Sequence, residues 1–125
     1  MADPVLPVPS RLPRLLRLAI IAAAAAVLLY LSLAPTRDLP GVGLVWDKAE
    51  HAIAYLVLMG LGLAFAPRRL RAFTLFALCL GLAVEILQAN MGFGRQGDWR
   101  DMVANSLGVL TGFLTWRWAL RRRRT

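Results

Sequence analysis

Four stretches of this chain are apolar for close to twenty residues each, and polar or proline-containing segments separate them. They run from about Leu15 to Leu33, Asp47 to Ala66, Ala72 to Met91 and Asp101 to Leu120. A hydrocarbon core about 30 Å thick needs roughly 20 residues of helix at 1.5 Å each, so every stretch is read as a membrane span. Pro35 and Pro40 break the chain after the first span, and Pro67 ends the second. The expected architecture is an all-α integral membrane four-helix bundle. Residues 1–14 form a basic, proline-rich lead expected to be disordered, residues 15–120 form the membrane domain, and residues 121–125 form a basic tail. The first span could instead be a cleavable signal, because Ser32-Leu33-Ala34 resembles a small-residue cleavage site. Pro35 directly after it and the length of the apolar run favour retention.

The chain has 125 residues, 58% of them hydrophobic, with a mean hydropathy of +0.59, which excludes an ordinary soluble enzyme core. A formal net charge of +8 would suggest nucleic acid in a polar chain. Here the basic residues sit between apolar runs, so topology explains them and no nucleic-acid partner is expected. Of the 15 Lys and Arg, four lie in the loops after spans one and three or at their edges: Arg37, Lys48, Arg95 and Arg100. The others lie in the lead, in the loop holding Arg68, Arg69 and Arg71, and around the carboxyl-terminal end. The positive-inside rule then puts both termini in the cytoplasm, with an even number of spans. The run Arg121–Arg124 reads as a basic stop after the last span, with attraction to anionic lipid heads as a second use. Cys79 is the single cysteine, so no intrachain disulfide is possible.

In this topology the acidic residues Asp38, Asp47, Glu50, Glu85, Asp98 and Asp101 fall on the outward side, and any chemistry faces outward. On span two, Asp47, His51 and Tyr55 recur every four residues and form one polar stripe. Asp47 could orient His51 for proton transfer or metal binding; capping at headgroup level is the plainer alternative, and it is preferred for Asp47 and Lys48. On span three, Glu85 lies about 20 Å from the cytoplasmic end of its helix. A carboxylate at that depth costs about 2.5–3.5 kcal/mol on insertion scales and needs a partner or a neutral state. Gln88 shares its face. The pair could be interhelical glue, but glue rarely requires a carboxylate, so a functional role is favoured.

The third loop and fourth span add Arg95, Asp98, Asp101 and Asn105. Arg95 follows two glycines and could present its guanidinium fork to a phosphate or carboxylate. Ala104, Gly108 and Gly112 form a stripe of small residues that lets this helix approach a neighbour closely. None of these polar groups can face lipid, so they are expected around one cavity open to the outside. His51 and Glu85 are the candidate acid and base, with Asp47 and Asp101 beside them. Arg95, Gln88, Asn105, Tyr55 and Asp98 are the candidate ligand contacts. One histidine rules out two-histidine phosphatase chemistry and a His-rich zinc site, and neither a metal nor a cofactor is expected. A mixed site from Asp47, His51, Glu85 and Asp101 is conceivable on geometry.

Taken in order, Asp47-Lys48-x-x-His51-x-x-x-Tyr55, Glu85-x-x-Gln88, Arg95, Asp98, Asp101, Asn105, Gly108 and Gly112 resemble the VanZ-like family of small multi-spanning bacterial membrane proteins. That family is named for a protein linked to low-level teicoplanin resistance. The resemblance implies a membrane location and a shared polar site rather than a particular reaction. Two main functions stand open. One is a pocket that binds, and could modify, an anionic cell-envelope, cell-wall-precursor or lipid-linked molecule. The other is a noncatalytic membrane partner or homo-oligomer in which the polar cluster is structural and the glycines serve assembly. A proton-coupled carrier is a third idea, without the interrupted spans or repeats that would support it.

Overall fold

The computed structural model describes residues 8–33, 47–91 and 99–123. They form four α-helices and no strand: α1 (Arg14–Leu33), α2 (Asp47–Phe65), α3 (Leu70–Met91) and α4 (Trp99–Arg123). The protein is an all-α four-helix bundle. By length and composition α1, α2 and α3 can each cross a membrane. The fourth helix is long enough at 25 residues but less apolar, because Arg100, Asp101, Arg117 and Arg121–Arg123 flank or enter its hydrophobic run, which Asn105, Ser106, Thr111 and Thr115 also interrupt.

Helix boundaries differ from the hydropathy reading mainly where arginine occurs. The last helix continues through Arg123 instead of stopping near Leu120. Arginine is a good helix former, and cations at a helix carboxyl end favour the helix dipole. Between α2 and α3, Pro67–Arg69 forms a single 3-10 turn, closed by Arg69 N–H donating to the Ala66 carbonyl at 3.1 Å. The lead also holds structure within the segment expected to be disordered: Val8–Arg11 is a 3-10 turn. Arg17 accounts for that order, since its Nε donates to the Leu12 carbonyl at 3.0 Å and its Nη1 to the Phe65 carbonyl at 2.9 Å. Phe65 closes α2, so this guanidinium satisfies one of the carbonyls left without a partner at a helix end.

The Arg17 contact places the start of α1 beside the end of α2. At the opposite end, Gln88 Nε2 donates to the Ser32 carbonyl at 2.8 Å, which ties the end of α3 to the end of α1. Successive helices therefore run in alternate directions, and α2 and α4 run the same way. This parallel pair makes the most extensive contact in the bundle; α3 packs on both, and α1 lies against α2 and α3.

Glycine explains the closeness of the α2–α4 pair. A Cβ at Gly108 would stand 2.2 Å from the Ala52 carbonyl oxygen, and one at Gly112 would stand 2.7 Å from Met59 Cβ. The small-residue stripe is thus used inside the chain, against α2. The core between the helices comprises Leu28, Tyr55, Leu58, Met59, Leu63, Phe73, Ala77, Val84 and Val109. Outside it, large apolar side chains such as Leu15, Val27, Leu75, Ile86 and Leu114 are exposed, while Glu85, Gln88, Asp101 and Asn105 are buried. Apolar groups outside and charged groups inside is the arrangement that lipid, acting as solvent, stabilises.

Candidate functional site

The buried polar residues gather at one end of the bundle, where α1 and α3 finish and α2 and α4 begin. Helical rise places them in two layers. Lys48, His51 and Asp101 lie within about 6 Å of the ends of their helices, whereas Asn105, Glu85 and Tyr55 lie about 9–12 Å down. Each residue follows from a simple spacing. Lys48, His51 and Tyr55 stand at i, i+3 and i+7 on α2; Gly81, Glu85 and Gln88 stand at i, i+4 and i+7 on α3; Asp101 and Asn105 are one turn apart on α4.

In the outer layer, Asp101 is held between two side chains of α2. Lys48 Nζ donates to Asp101 Oδ1 and forms an ion pair with it. Asp101 Oδ2 lies 3.6 Å from His51 Nε2, an ion-pair distance rather than a hydrogen bond. The other ring nitrogen, His51 Nδ1, is 3.0 Å from Asn105 Oδ1. Both ends of the imidazole therefore meet α4. The side chains of Lys48, His51 and Asp101 keep 21%, 12% and 9% exposure, so this rim is half-buried rather than sealed.

The inner layer is tighter. Tyr55, Gln88 and Asn105 are each at least 98% buried, and Glu85 is 92% buried. Gly81 brings α3 into this layer, since a Cβ there would sit 3.5 Å from the Tyr55 ring and 3.6 Å from Asn105 Nδ2. Glu85, one turn further along, is close enough to Tyr55 for its charge to act on the phenol. Among the buried polar atoms that make no hydrogen bond are Tyr55 OH, Gln88 Oε1 and Asn105 Nδ2. Buried polar groups without partners are few in folded proteins and cost about 1–3 kcal/mol each. Asn105 Nδ2 and the Tyr55 ring face α3 at Gly81, one turn before Glu85.

The structure brings His51, Glu85, Gln88, Asn105, Asp101 and Tyr55 to one end of the bundle. Ala104, Gly108 and Gly112 lie on the buried face of α4. Asp47 is the first residue of α2, and Arg95 and Asp98 lie outside the described residues. His51 meets Asp101 and Asn105 on α4, and the Asp47 side chain lies outside what the structure describes. Lys48, read as a headgroup-level cap, is instead the residue that engages Asp101. Its place three residues before His51 and seven before Tyr55, on the same helical stripe, was the signal for it. Gly81 was likewise passed over, although it stands one turn before Glu85. Among the described residues no cluster of three or more His, Cys, Asp or Glu is arranged to hold a metal ion.

Comparison with curated proteins and with solved structures returns no match. A family model described as VanZ/LLP1 does match, over residues 23–120, which extends the resemblance beyond the Asp47–Gly112 motif into α1. With every described residue of the polar site inside that match, which covers most of the sequence, the chain belongs to the VanZ/LLP1 family.

Proposed function

We propose that this protein is a four-span protein of the bacterial cell membrane, with both termini cytoplasmic, whose outward-facing polar pocket binds an anionic envelope or lipid-linked molecule. The observation that carries this reading is the buried two-layer cluster on α2, α3 and α4, at the end of the bundle opposite the basic segments. Arg14 and Arg17 begin α1, Arg68, Arg69 and Arg71 flank the α2–α3 turn, and Arg121 and Arg122 lie near the end of α4. By charge bias that end belongs in the cytoplasm and the cluster belongs outside.

Lys48 and His51 supply positive or donating groups for an anion, with Arg95 of the following loop as a further candidate from the sequence, and Gln88, Asn105 and Tyr55 supply neutral contacts. Should the bound molecule react, His51 and Glu85 are the groups able to exchange a proton with it. A role in glycopeptide (teicoplanin) tolerance is the envelope phenotype that family membership suggests. The competing reading, a noncatalytic partner or assembly protein, draws support from the Lys48–Asp101 and His51–Asn105 contacts, which join α2 to α4 without any ligand.

Replacing Glu85 separates the two. In a host lacking its own copy, Glu85→Gln is expected to keep wild-type abundance while abolishing the glycopeptide or envelope phenotype. Parallel loss of abundance and phenotype would assign the cluster to structure.

A further inference from the structure

We infer that Lys48 and His51 form a two-point receptor for a dianionic phosphomonoester, and that Asp101 is the resident anion this ligand displaces. The inference rests on the outward-pocket reading and names the chemistry that the pocket takes. Its starting point is how Asp101 is bound. One carboxylate oxygen engages Lys48 Nζ, and the other faces His51 Nε2 at 3.6 Å. Two groups from one helix, three residues apart, address the two oxygens of one oxyanion. That is the geometry of an anion site, and a residue of the protein fills it.

The site can be vacated without dismantling the fold. Its members lie in the outer layer, where Asp101 is buried and the Lys48 and His51 side chains keep 21% and 12% exposure. Asp101 sits in the first turn of α4, where the helix dipole and the amide N–H groups not bonded within the helix favour a negative charge. A displaced carboxylate can turn toward its own helix end. The long Lys48 side chain can follow an incoming ligand. The His51 contact exceeds hydrogen-bond length; in the imidazolium form, with Nδ1–H donating to Asn105 Oδ1, Nε2–H can donate to an oxyanion that closes the gap, an interaction that Asp101 does not make.

Charge selects the ligand class. A carboxylate or a phosphodiester carries the same single charge as Asp101 and also competes against a tethered group, so it gains little. A phosphomonoester approaches two negative charges at neutral pH and offers three terminal oxygens. Either a lipid headgroup or free phosphate can provide that chemistry.

The test uses the full chain in detergent micelles, with binding read by native mass spectrometry and thermal shift. Phosphatidic acid is the monoester lipid probe, phosphatidylglycerol the diester control, and inorganic phosphate the soluble probe. Wild type is expected to favour phosphatidic acid over phosphatidylglycerol. Asp101→Asn should tighten phosphatidic acid binding about tenfold, because a like charge leaves a rim whose screening lies between that of water and interior. Lys48→Gln should weaken it, and the double variant should bind like Lys48→Gln. Matching gains with inorganic phosphate identify free phosphate as sufficient, whereas gains confined to phosphatidic acid identify a lipid headgroup; both support the inference.

Asp101→Asn that melts like wild type but binds no more tightly overturns it. If Asp101→Asn does not fold, the charge-swapped pair Lys48→Asp with Asp101→Lys retains the ion pair and moves the cation to α4. It is expected to lose binding, and unchanged binding there also overturns the inference. Absence of binding to every probe by wild type, while Glu85→Gln still abolishes the phenotype at wild-type abundance, refutes displacement and leaves the pocket reading standing. A Glu85→Gln variant with a normal phenotype removes that reading itself.

Discussion

Gly108→Ala is the sharpest probe of how the site is assembled, because the obstacle is backbone. A methyl group there would lie 2.2 Å from the carbonyl oxygen of Ala52 and 3.0 Å from its carbonyl carbon. Real contacts of this kind stay beyond about 3 Å, so α2 and α4 must separate by at least about 0.8 Å at this level. His51 immediately precedes Ala52, and Asn105 lies one turn before Gly108. The same separation would stretch the 3.0 Å His51–Asn105 contact to about 3.8 Å, outside hydrogen-bond range. Overpacking of a close interface costs about 1–3 kcal/mol, and a contact with backbone belongs near the upper figure. Replacing glycine by alanine within a helix returns about 1 kcal/mol, leaving about 2 kcal/mol of destabilisation. Thermal melting of the detergent-solubilised chain should show the loss. Gly60→Ala is the matched control, since nothing lies within 4 Å of its added methyl, and it should melt at or slightly above wild type. Ala52→Gly should not rescue Gly108→Ala, because the atom encountered is a carbonyl oxygen rather than a side chain. If Gly108→Ala and Gly60→Ala melt alike, the close α2–α4 approach is wrong, and with it the geometry derived for His51.

The reverse behaviour is expected at Gly62, where an added Cβ would fall 2.1 Å from the ring of Phe73. Gly62→Ala should destabilise by about 1–3 kcal/mol in the same melting assay, and Phe73→Leu should restore part of the loss, since here a side chain can be shortened. Orientation is open to labelling. A cysteine introduced by Arg122→Cys, with Cys79→Ser, should react with an impermeant maleimide only after the membrane is permeabilised, and reaction in intact cells would reverse the proposed topology.

That Glu85, Gln88 and Asn105 would be buried together was legible, because an amide or carboxylate within an apolar run cannot face lipid. Lys48 was not, because a cation at the start of a span usually reaches for water or headgroups, and nothing local to α2 reveals that Asp101 lies opposite. His51 shows the same limit. A spacing of four residues makes Asp47 its neighbour along the helix, and nothing in that spacing shows that the ring also reaches Asp101 and Asn105, fifty or more residues away. The glycines on α4 announced a close approach, but not whether the neighbour would be a second chain or α2.

Apolar run length, proline positions and helical periodicity determined the number of helices, their approximate limits and the face of each that carries polar groups. These depend on local geometry and on each residue's preference for lipid or water, which any one segment possesses by itself. Which faces meet, and therefore which residue is paired with which, was decided by tertiary structure alone. Helix periodicity states a direction around one axis and contains nothing about the neighbouring axis. Only the parallel alignment of α2 and α4, drawn together where glycine removes the side chain, sets Lys48 against Asp101 and His51 against Asn105.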